Sequence, residues 1–182
     1  MNAIEILIEE HNNIKVLLDI VRKANLKLIN GEKVNDEDFR NIIYFIRNYA
    51  DSHHHQKEEI FLFNRMVDEI GPTAEKLVKH GMLVEHDLGR LYIKQLEEAL
   101  DKYKEGNEEF KLDIIGNAFS YTDLLSRHIF KEDNVAYKFA ERELSKELID
   151  KINKECLEFE DKNNNVKEKC LDILEKLKKK YL

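Results

Sequence analysis

The amino-acid sequence predicts an all-α protein, an up-down-up-down four-helix bundle followed by two additional C-terminal helices. Helix breakers are rare, since the 182 residues include one proline and six glycines, and apolar residues recur three or four positions apart almost throughout. Hydrophobic residues make up 42% of the chain and charged residues 37%, which suits helices with one buried and one solvated face. Long helices with short connections pack as antiparallel neighbours in a bundle.

The first two predicted helices have recognisable ends. The apolar face of the first helix ends before Gly31, and its members are Ile4, Leu7, Ile8, Ile14, Leu18 and Val21. Asn35 suits the N-cap of the second helix, because the acidic residues 36–38 that follow it complement the helix dipole. This helix is predicted to extend to Ile70, where Gly71-Pro72 ends it.

Two more helices complete the predicted bundle. The third begins after Pro72 and ends near Gly106, and the fourth runs from about Glu108 to Ala140. Both keep apolar residues at helical spacing along their length. We therefore expect residues 1–142 to form one four-helix bundle.

The remaining residues, 143–182, are predicted to form a helical extension that packs on the bundle. Ser145 is expected to cap a fifth, shorter helix, and the three asparagines at 163–165 are expected to form a turn before a last amphipathic helix. Cys156 and Cys170 lie in this extension and lack the Cys-x-x-Cys spacing of a metal or redox pair. We expect two buried or idle thiols.

Charge and hydropathy exclude several classes of function. The net charge of −7 disfavours nucleic-acid binding, which needs a basic surface. No stretch approaches the roughly 20 apolar residues that span a bilayer, and the N-terminus lacks the pattern of a signal peptide. The sequence therefore predicts a cytoplasmic protein with no nucleic-acid or membrane partner. No nucleophile arrangement and no glycine-rich phosphate loop are present, so no catalytic residue is assigned.

The histidines carry the chemical signal. Among the seven in the chain, His128 lies on an apolar face, and Glu132 follows four residues later on the same face of the helix. Residues 54–59 repeat this His-x-x-x-Glu pattern, with a lysine before the glutamate and an acid after it, so His54 and Glu58 form a second core-facing pair. A buried carboxylate is costly unless a charge compensates it, and a metal ion does so.

His11 and His86 extend the pattern to the other two helices of the bundle. Each lies among apolar residues at helical spacing, and either one alone is more often a core histidine than a ligand. Together with the two His-x-x-x-Glu pairs, they put a histidine on each of the four helices. Because metal ions commonly compensate clustered buried histidines and glutamates, the set predicts a metal site.

The other three histidines are weaker candidates. His53 and His55 point about 100° to either side of His54, so we expect them to face solvent or to support a ligand. His80 is six residues before His86 and points to a different face. We expect it to be peripheral.

The ligand types narrow the choice of metal. Imidazole and carboxylate ligands together suit iron, manganese or zinc. Glutamates on two separate helices can each bridge two ions, which favours a dinuclear site over one tetrahedral zinc site. The Glu-x-x-His motif of another group of di-iron bundles is missing, and so is the His-Glu-x-x-His motif of zinc proteases.

These motifs, in this order, resemble the bacterial hemerythrin-like (HHE cation-binding) proteins. The matching strings are Glu10-His11 and residues 54–59, 82–90 and 128–133, and the resemblance covers about residues 3–140. It implies two non-haem iron ions with an oxo or hydroxo bridge, for which manganese or zinc could substitute. The ligands that the resemblance implies are four terminal histidines and two bridging glutamates: His11, His54, His86, His128, Glu58 and Glu132.

The sequence departs from the oxygen-carrying members of the wider family at one point. Those members have a second histidine one turn from the third one, whereas Met82 and Arg90 occupy these positions here. The site is therefore expected to be one histidine short of an oxygen carrier. Tyr121 and His55 are candidates for an additional ligand, although Tyr121 also suits a packed core aromatic. Arg90 is expected either to pair with an acid at the rim or to orient a ligand.

The resemblance implies a protein that binds, senses or reacts with a small molecule such as O2, NO or peroxide. One alternative is a di-iron enzyme or an iron donor in oxidative or nitrosative stress defence, and another is a bundle that metal merely clamps. A small diatomic molecule or peroxide and an electron-donor protein are the candidate partners. The chain is expected to be a monomer or a homodimer.

Overall fold

A computed structural model describes residues 1–182, and nearly all of them lie in five helices separated by short breaks. The helices are α1 (Ala3–Ile29), α2 (residues 36–70), α3 (residues 72–104), α4 (residues 111–143) and α5 (Lys146–Tyr181). The chain contains no strand, which confirms the all-α prediction. None of the helices combines the length and the apolar composition needed to cross a membrane.

The break between α2 and α3 and the start of α2 follow the expected local chemistry. The side chain of Asn35 caps α2 by accepting a hydrogen bond from the backbone N–H of Asp38 at 3.0 Å. Gly71 separates α2 from α3 with φ of 79°, a backbone conformation that favours glycine. Pro72 follows at the first turn of α3, where its fixed φ is compatible with a helix.

Two pairs of neighbouring helices, α2 with α3 and α1 with α4, run in opposite directions. Contacts near both ends of a pair fix its direction: Arg40 with Asp101 and Glu59 with His86 between α2 and α3, and Asn25 with Ile115 and His11 with Asp133 between α1 and α4. In both pairs, a residue early in one helix meets a residue late in the other. Helices packed in this way bring one residue from each to a common level.

Two apolar clusters fill the interior, and a polar layer separates them. Along α1, Leu7 belongs to one cluster and Ile14 to the other, and His11 lies between them. The same order holds along the other helices of the bundle, where the flanking residues are Ala50 and Leu62 (α2), Met82 and Ile93 (α3), and Leu125 and Ala136 (α4). The polar layer therefore crosses the whole bundle at one level.

The C-terminal residues form one continuous helix of 36 residues, so the prediction of two helices with a turn at 163–165 was wrong. Ser145 caps α5 as expected and accepts a hydrogen bond from the N–H of Leu148. Cys156 and Cys170 are both buried and belong to different apolar clusters. Because each half of α5 is held on the bundle, packing outweighs the weak helix propensity of the asparagines between them.

α5 packs along α1 and α2. It runs antiparallel to α2, since Arg65 pairs with Glu155 at 2.7 Å near one end and the hydroxyl of Tyr181 donates to Asp38 at 2.5 Å near the other. Burial raises the pKa of the Cys156 thiol, which faces this interface, to about 12. That thiol is therefore protonated at neutral pH, as expected of an idle cysteine.

Candidate metal centre

Seven buried histidine and glutamate side chains meet in the polar layer between the two apolar clusters. They come from all four helices of the bundle, and none is more than 5% exposed. The members are His11 (α1), His54, His55 and Glu58 (α2), His86 (α3), and His128 and Glu132 (α4). Six of them are the ligands that the resemblance implied, and His55 is the seventh.

The seven side chains divide into two groups whose ligand atoms lie within 4.8 Å of one another. The first group is His11, His54, Glu58 and Glu132, and the second is His55, His86 and His128. Glu132 faces both groups, because its Oε2 lies 3.3 Å from Nε2 of His11 and its Oε1 lies 3.0 Å from Nε2 of His128. A carboxylate so placed can bridge two metal positions.

Glu58 also faces both groups and has an additional partner. Its Oε2 lies 3.6 Å from Nε2 of His54 and 3.6 Å from Nε2 of His86. Its Oε1 accepts a hydrogen bond from the hydroxyl of Tyr137, a fully buried residue whose ring stacks on that of His11. Sequence reasoning missed Tyr137, although it lies in the same repeat as His128 and five residues after Glu132.

Local widening of three helices accompanies the site. Ile46–His55 and Glu58–Phe63 in α2, Val78–Met82 in α3 and Glu132–Ala136 in α4 are π-helical. A π turn contains more residues than an α turn, and such turns are frequent at functional sites. The wider turn lets the adjacent residues His54 and His55 serve different groups, which the spacing of a regular α-helix did not predict.

Each of the five histidines directs its Nδ1 atom at a carboxylate and leaves Nε2 for the site. The Nδ1–oxygen distances are 2.7 Å for His11 with Asp133, 2.9 Å for His54 with Glu10, 3.3 Å for His55 with Asp51, 2.7 Å for His86 with Glu59 and 2.9 Å for His128 with Glu85. A carboxylate at Nδ1 favours the tautomer with the proton on that nitrogen and orients the ring. The Nε2 lone pair is then available to a metal.

Four of these carboxylates, which we call the carboxylate ring, link the helices in a closed circuit. Each is the sequence neighbour of one candidate ligand and contacts a histidine of another helix: Glu10 beside His11 contacts His54, Glu59 beside Glu58 contacts His86, Glu85 beside His86 contacts His128, and Asp133 beside Glu132 contacts His11. Sequence reasoning missed these four roles. The available signal was an acid directly next to a ligand on every helix.

Each member of the carboxylate ring also has a basic partner. The pairs are Glu10 with Lys57, Glu59 with Arg90, Glu85 with Lys131, and Asp133 with Lys15. The hydrogen bond from His128 and the charge of Lys131 together lower the pKa of Glu85 to about 2. Glu85 is therefore ionised at neutral pH and remains an acceptor for His128.

Opposing electrostatic influences act on the buried carboxyl groups. Burial and the charge of Glu132 raise the pKa of Glu58 well above its usual range. Burial acts in the same direction on Glu132, but His128 and His11 outweigh it and hold the pKa of Glu132 well below its usual range. Burial would lower the pKa of His128, but Glu132 and Glu85 raise it to about 9. The metal-free centre thus holds protons that a metal ion would displace.

Several buried polar atoms in the centre have no hydrogen-bond partner. They are Nε2 of His54, Oε2 of Glu58 and both carboxylate oxygens of Glu132. Such atoms are costly in a protein interior unless something satisfies them. All of them are metal-ligand atoms that face one another, and mixed imidazole and carboxylate donors suit first-row transition metals. The residues present therefore fit a bound metal ion.

Comparison with known protein families identifies the bundle. The family model described as Hemerythrin HHE cation binding domain matches residues 2–140. This chain belongs to the hemerythrin HHE cation-binding family. Comparisons with curated proteins and with solved structures gave no significant match. The hemerythrin match ends before α5 begins at Lys146.

His55, one of the two candidates that the sequence offered for an additional ligand, joins His86 and His128 in this hemerythrin-family site. Five histidines therefore converge on the centre, although α3 contributes only one of them. His53 is also buried and does not face solvent; its Nε2 lies 3.0 Å from Glu10, which contacts His54. His80, which we expected to be peripheral, is exposed.

Arg90 and Tyr121 have distinct roles around the hemerythrin site. Arg90 pairs at 2.8 Å with both Asp51 and Glu59, the carboxylates that contact His55 and His86. It thus forms salt bridges at the rim, and both of its carboxylate partners contact histidines of the centre. The Tyr121 ring packs in the larger apolar cluster, and its buried hydroxyl has no hydrogen-bond partner.

A cavity beside the second histidine group connects the site with the surface. It has a volume of about 390 Å³, and its lining includes His55, His86, Gly89, Arg90 and Tyr121. The Arg90 side chain is 38% exposed, so the outer end of the cavity reaches solvent. Gly89 lies in van der Waals range of the cavity wall, since an added Cβ would be 3.4 Å from Leu125 and 3.6 Å from the Tyr121 ring.

Proposed function

We propose that this hemerythrin-family protein holds two non-haem iron ions and binds or senses a small molecule such as dioxygen, nitric oxide or peroxide. The observation that carries the proposal is the position of Glu58 and Glu132 between the two histidine groups. Five imidazoles and two shared carboxylates suit two ions, and the family resemblance favours iron over manganese or zinc. Bound iron would supply redox-active positions for the small molecule.

The protein's own contribution is to orient the ligands and to exclude water. The carboxylate ring orients the imidazoles of His11, His54, His86 and His128. Tyr137 holds one oxygen of Glu58. The apolar clusters on either side of the polar layer limit the access of solvent to the centre from the two ends of the bundle.

The cavity supports a small exogenous ligand. It leads to His55 and His86, the group that contains no carboxylate of its own. The unpartnered hydroxyl of Tyr121 lines the same cavity, so a polar molecule there could form a hydrogen bond with it. We propose that the small molecule approaches the centre by this route.

Two alternatives from the sequence have some support in the fold. A di-iron oxidoreductase, or an iron donor in stress defence, would use the same solvent-reaching cavity. A purely structural clamp would explain why the polar layer joins all four helices between two apolar clusters. The cavity favours the first alternative over the clamp, because a structural metal needs no access.

Stopped-flow spectroscopy separates these functions. The anaerobically reduced iron protein is mixed with oxygen or nitric oxide, and the visible spectrum is followed. A stable spectral change that reverses when the gas is removed supports binding or sensing. Repeated oxidation with turnover of an added reductant supports the enzyme. An unchanged spectrum with both gases supports the clamp and contradicts our proposal.

The finer arrangement of the bundle is also a proposal. We propose that α1 to α4 alternate up and down, which the antiparallel contacts described above support. We further propose that residues 1–142 form the metal-binding domain and that residues 143–182 are an extension on it. The cytoplasmic location, the electron-donor partner and the oligomeric state stay predictions from the sequence.

A further inference from the structure

A buried ammonium group lies on the side of the centre that α5 covers. The side chain of Lys57 is 0% exposed, and a buried charge is costly unless it is paired and hydrogen-bonded. Its Nζ contacts carboxylate oxygens of Glu10 and Glu160 and lies 3.2 Å from Nε2 of His53. These three partners could themselves hold a metal ion, since their ligand atoms lie within 4.8 Å of one another. Here the positive charge between them is that of the lysine.

One of the two carboxylates comes from the helix outside the family match. Glu160 is in α5, and the match ends at residue 140. Its Oε1 contacts Lys57 and lies 2.9 Å from Nε2 of His53, while its Oε2 accepts a hydrogen bond from Lys167 at 2.6 Å. The neighbouring Phe159 ring packs on His53 with the centroids 5.6 Å apart. α5 thus places an acid and an aromatic ring against this network.

The network continues to a candidate metal ligand. Glu10 contacts Lys57 through Oε1 and Nδ1 of His54 through Oε2, the latter at 2.9 Å. Its two oxygens therefore divide between the buried ammonium and the ligand histidine. With Glu160 present, the ammonium has two carboxylate partners. Without Glu160, Glu10 would be the only one, and the attraction of Lys57 would compete with His54 for it.

We propose that Glu160 is a positioning residue for the metal centre, acting through Lys57 and Glu10 on His54, and that α5 is consequently a working part of the site. This inference rests on the proposed metal function. The expected effect is confined to one histidine group. His54 belongs to the group with His11, whereas no contact links Glu160 to the group of His55, His86 and His128. Loss of Glu160 should weaken one metal position and spare the other.

The test compares Glu160→Gln with Glu158→Gln, an exposed acid of α5 whose ion pair is with Lys154 at 4.0 Å. Co²⁺ serves as the spectroscopic probe, and its two binding events are titrated in each folded variant. We expect Glu160→Gln to weaken one event by about 10-fold, the lower end of the effect of a carboxylate that contacts a metal ligand, because Glu160 acts through Lys57 and Glu10. We expect Glu158→Gln to change neither event. Equal weakening of both events, or of neither, would overturn the inference.

A metal-free measurement keeps this inference distinct from the proposed function. Imidazole ¹⁵N NMR of the metal-free protein reports the tautomer and hydrogen bonding of His54. We expect these signals to shift in Glu160→Gln and to stay unchanged in Glu158→Gln. If the native chain binds no metal, the proposed function fails, while this shift still reports the coupling. Unchanged His54 signals in Glu160→Gln would overturn the coupling even if the native chain binds two ions.

A double variant covers the case in which Glu160→Gln does not fold. Lys57→Met with Glu160→Met removes the buried ammonium together with one of its two carboxylate partners. Glu10 keeps its contacts with His53 and His54, and Lys167, which loses Glu160, is partly exposed to solvent. We expect this protein to fold and to keep the His54 signals and both Co²⁺ affinities within about threefold of the native values, since Glu10 is no longer drawn away. Loss of the same binding event in the double variant would overturn the route through Lys57.

Discussion

The imidazole rings of His55 and His86 stack with their centroids 3.8 Å apart and an angle of 9° between the planes. His55, a candidate additional ligand from the sequence, therefore lies where it could supply the histidine that α3 lacks at Met82 and Arg90. It comes from α2, directly after His54. The fifth histidine of the centre comes from a neighbouring helix, so a search for it one turn from His86 could not find it.

We expect His55→Ala to lose one of the two metal ions. Without His55, the second histidine group keeps only His86 and His128, while the first group, which contains His11 and His54, is unchanged. Metal analysis of the protein reconstituted with iron under anaerobic conditions should give about half of the native content. His80→Ala is the matched control, because His80 is exposed and should keep two ions. Two ions in His55→Ala would show that this residue is no ligand.

The six other candidate ligands were predictable because they lie on apolar helix faces at the regular α-helical spacing. His128 and Glu132 lie four residues apart on a regular apolar face, and the repeat at His54 and Glu58 set the register of the histidine triplet. The position of His55 could not be predicted in this way. It depends on the π-helical turn at Ile46–His55, which changes the angle between successive side chains and has no simple sequence signature.

Glu85→Gln should weaken metal binding without unfolding the protein. The amide keeps the size of the side chain but loses the charge that contacts Nδ1 of His128 at 2.9 Å and pairs with Lys131. We expect affinity to fall by about 10- to 100-fold, measured by competition with a chelator. Glu98→Gln, an exposed change on the same helix, should have native affinity. Equal affinities in the two variants would argue against a role for the carboxylate ring.

Two tyrosines of similar burial should respond differently to loss of the hydroxyl. Tyr137→Phe removes the donor to Glu58 and leaves a buried carboxylate oxygen unpaired, which we expect to cost about 1–3 kcal/mol of unfolding free energy. Tyr121→Phe removes a hydroxyl that has no partner, so stability should be unchanged or slightly higher. Urea unfolding of both metal-free variants measures the difference. A larger loss for Tyr121→Phe would contradict this account of the two hydroxyls.

Metal affinity should rise with pH and level off. The pKa of His128 is raised from 6.5 to about 9 by Glu132 and Glu85 against the effect of burial, so the metal-free site holds this proton at neutral pH and a metal must displace it. Conversely, the stability that protonated His128 gives to the metal-free fold is complete below pH 6.5 and is lost as pH rises through 9. Titration calorimetry of metal binding gives the affinity at each pH. Repeating it in buffers of different ionisation enthalpy gives the number of protons released when the metal binds. An affinity that is flat between pH 6.5 and 9 would contradict the assignment.

The helices of the bundle were predictable from their ends, whereas α5 was not. Asn35 and Gly71-Pro72 are local signals, and they mark real helix ends. The three asparagines at 163–165 are also a local signal, but there packing on α1 and α2 decides the structure. The same packing brings Glu160 to Lys57, a contact across 103 positions of the chain that no local pattern could reveal.

The iron content of the chain, purified without affinity metals, tests the central claim most directly when the native protein is compared with Glu58→Ala and Glu132→Ala. Both carboxylates face both histidine groups, so each should be needed for a pair of ions. The account predicts two irons per chain in the native protein and fewer than one in either variant. Native iron content in both variants would contradict it.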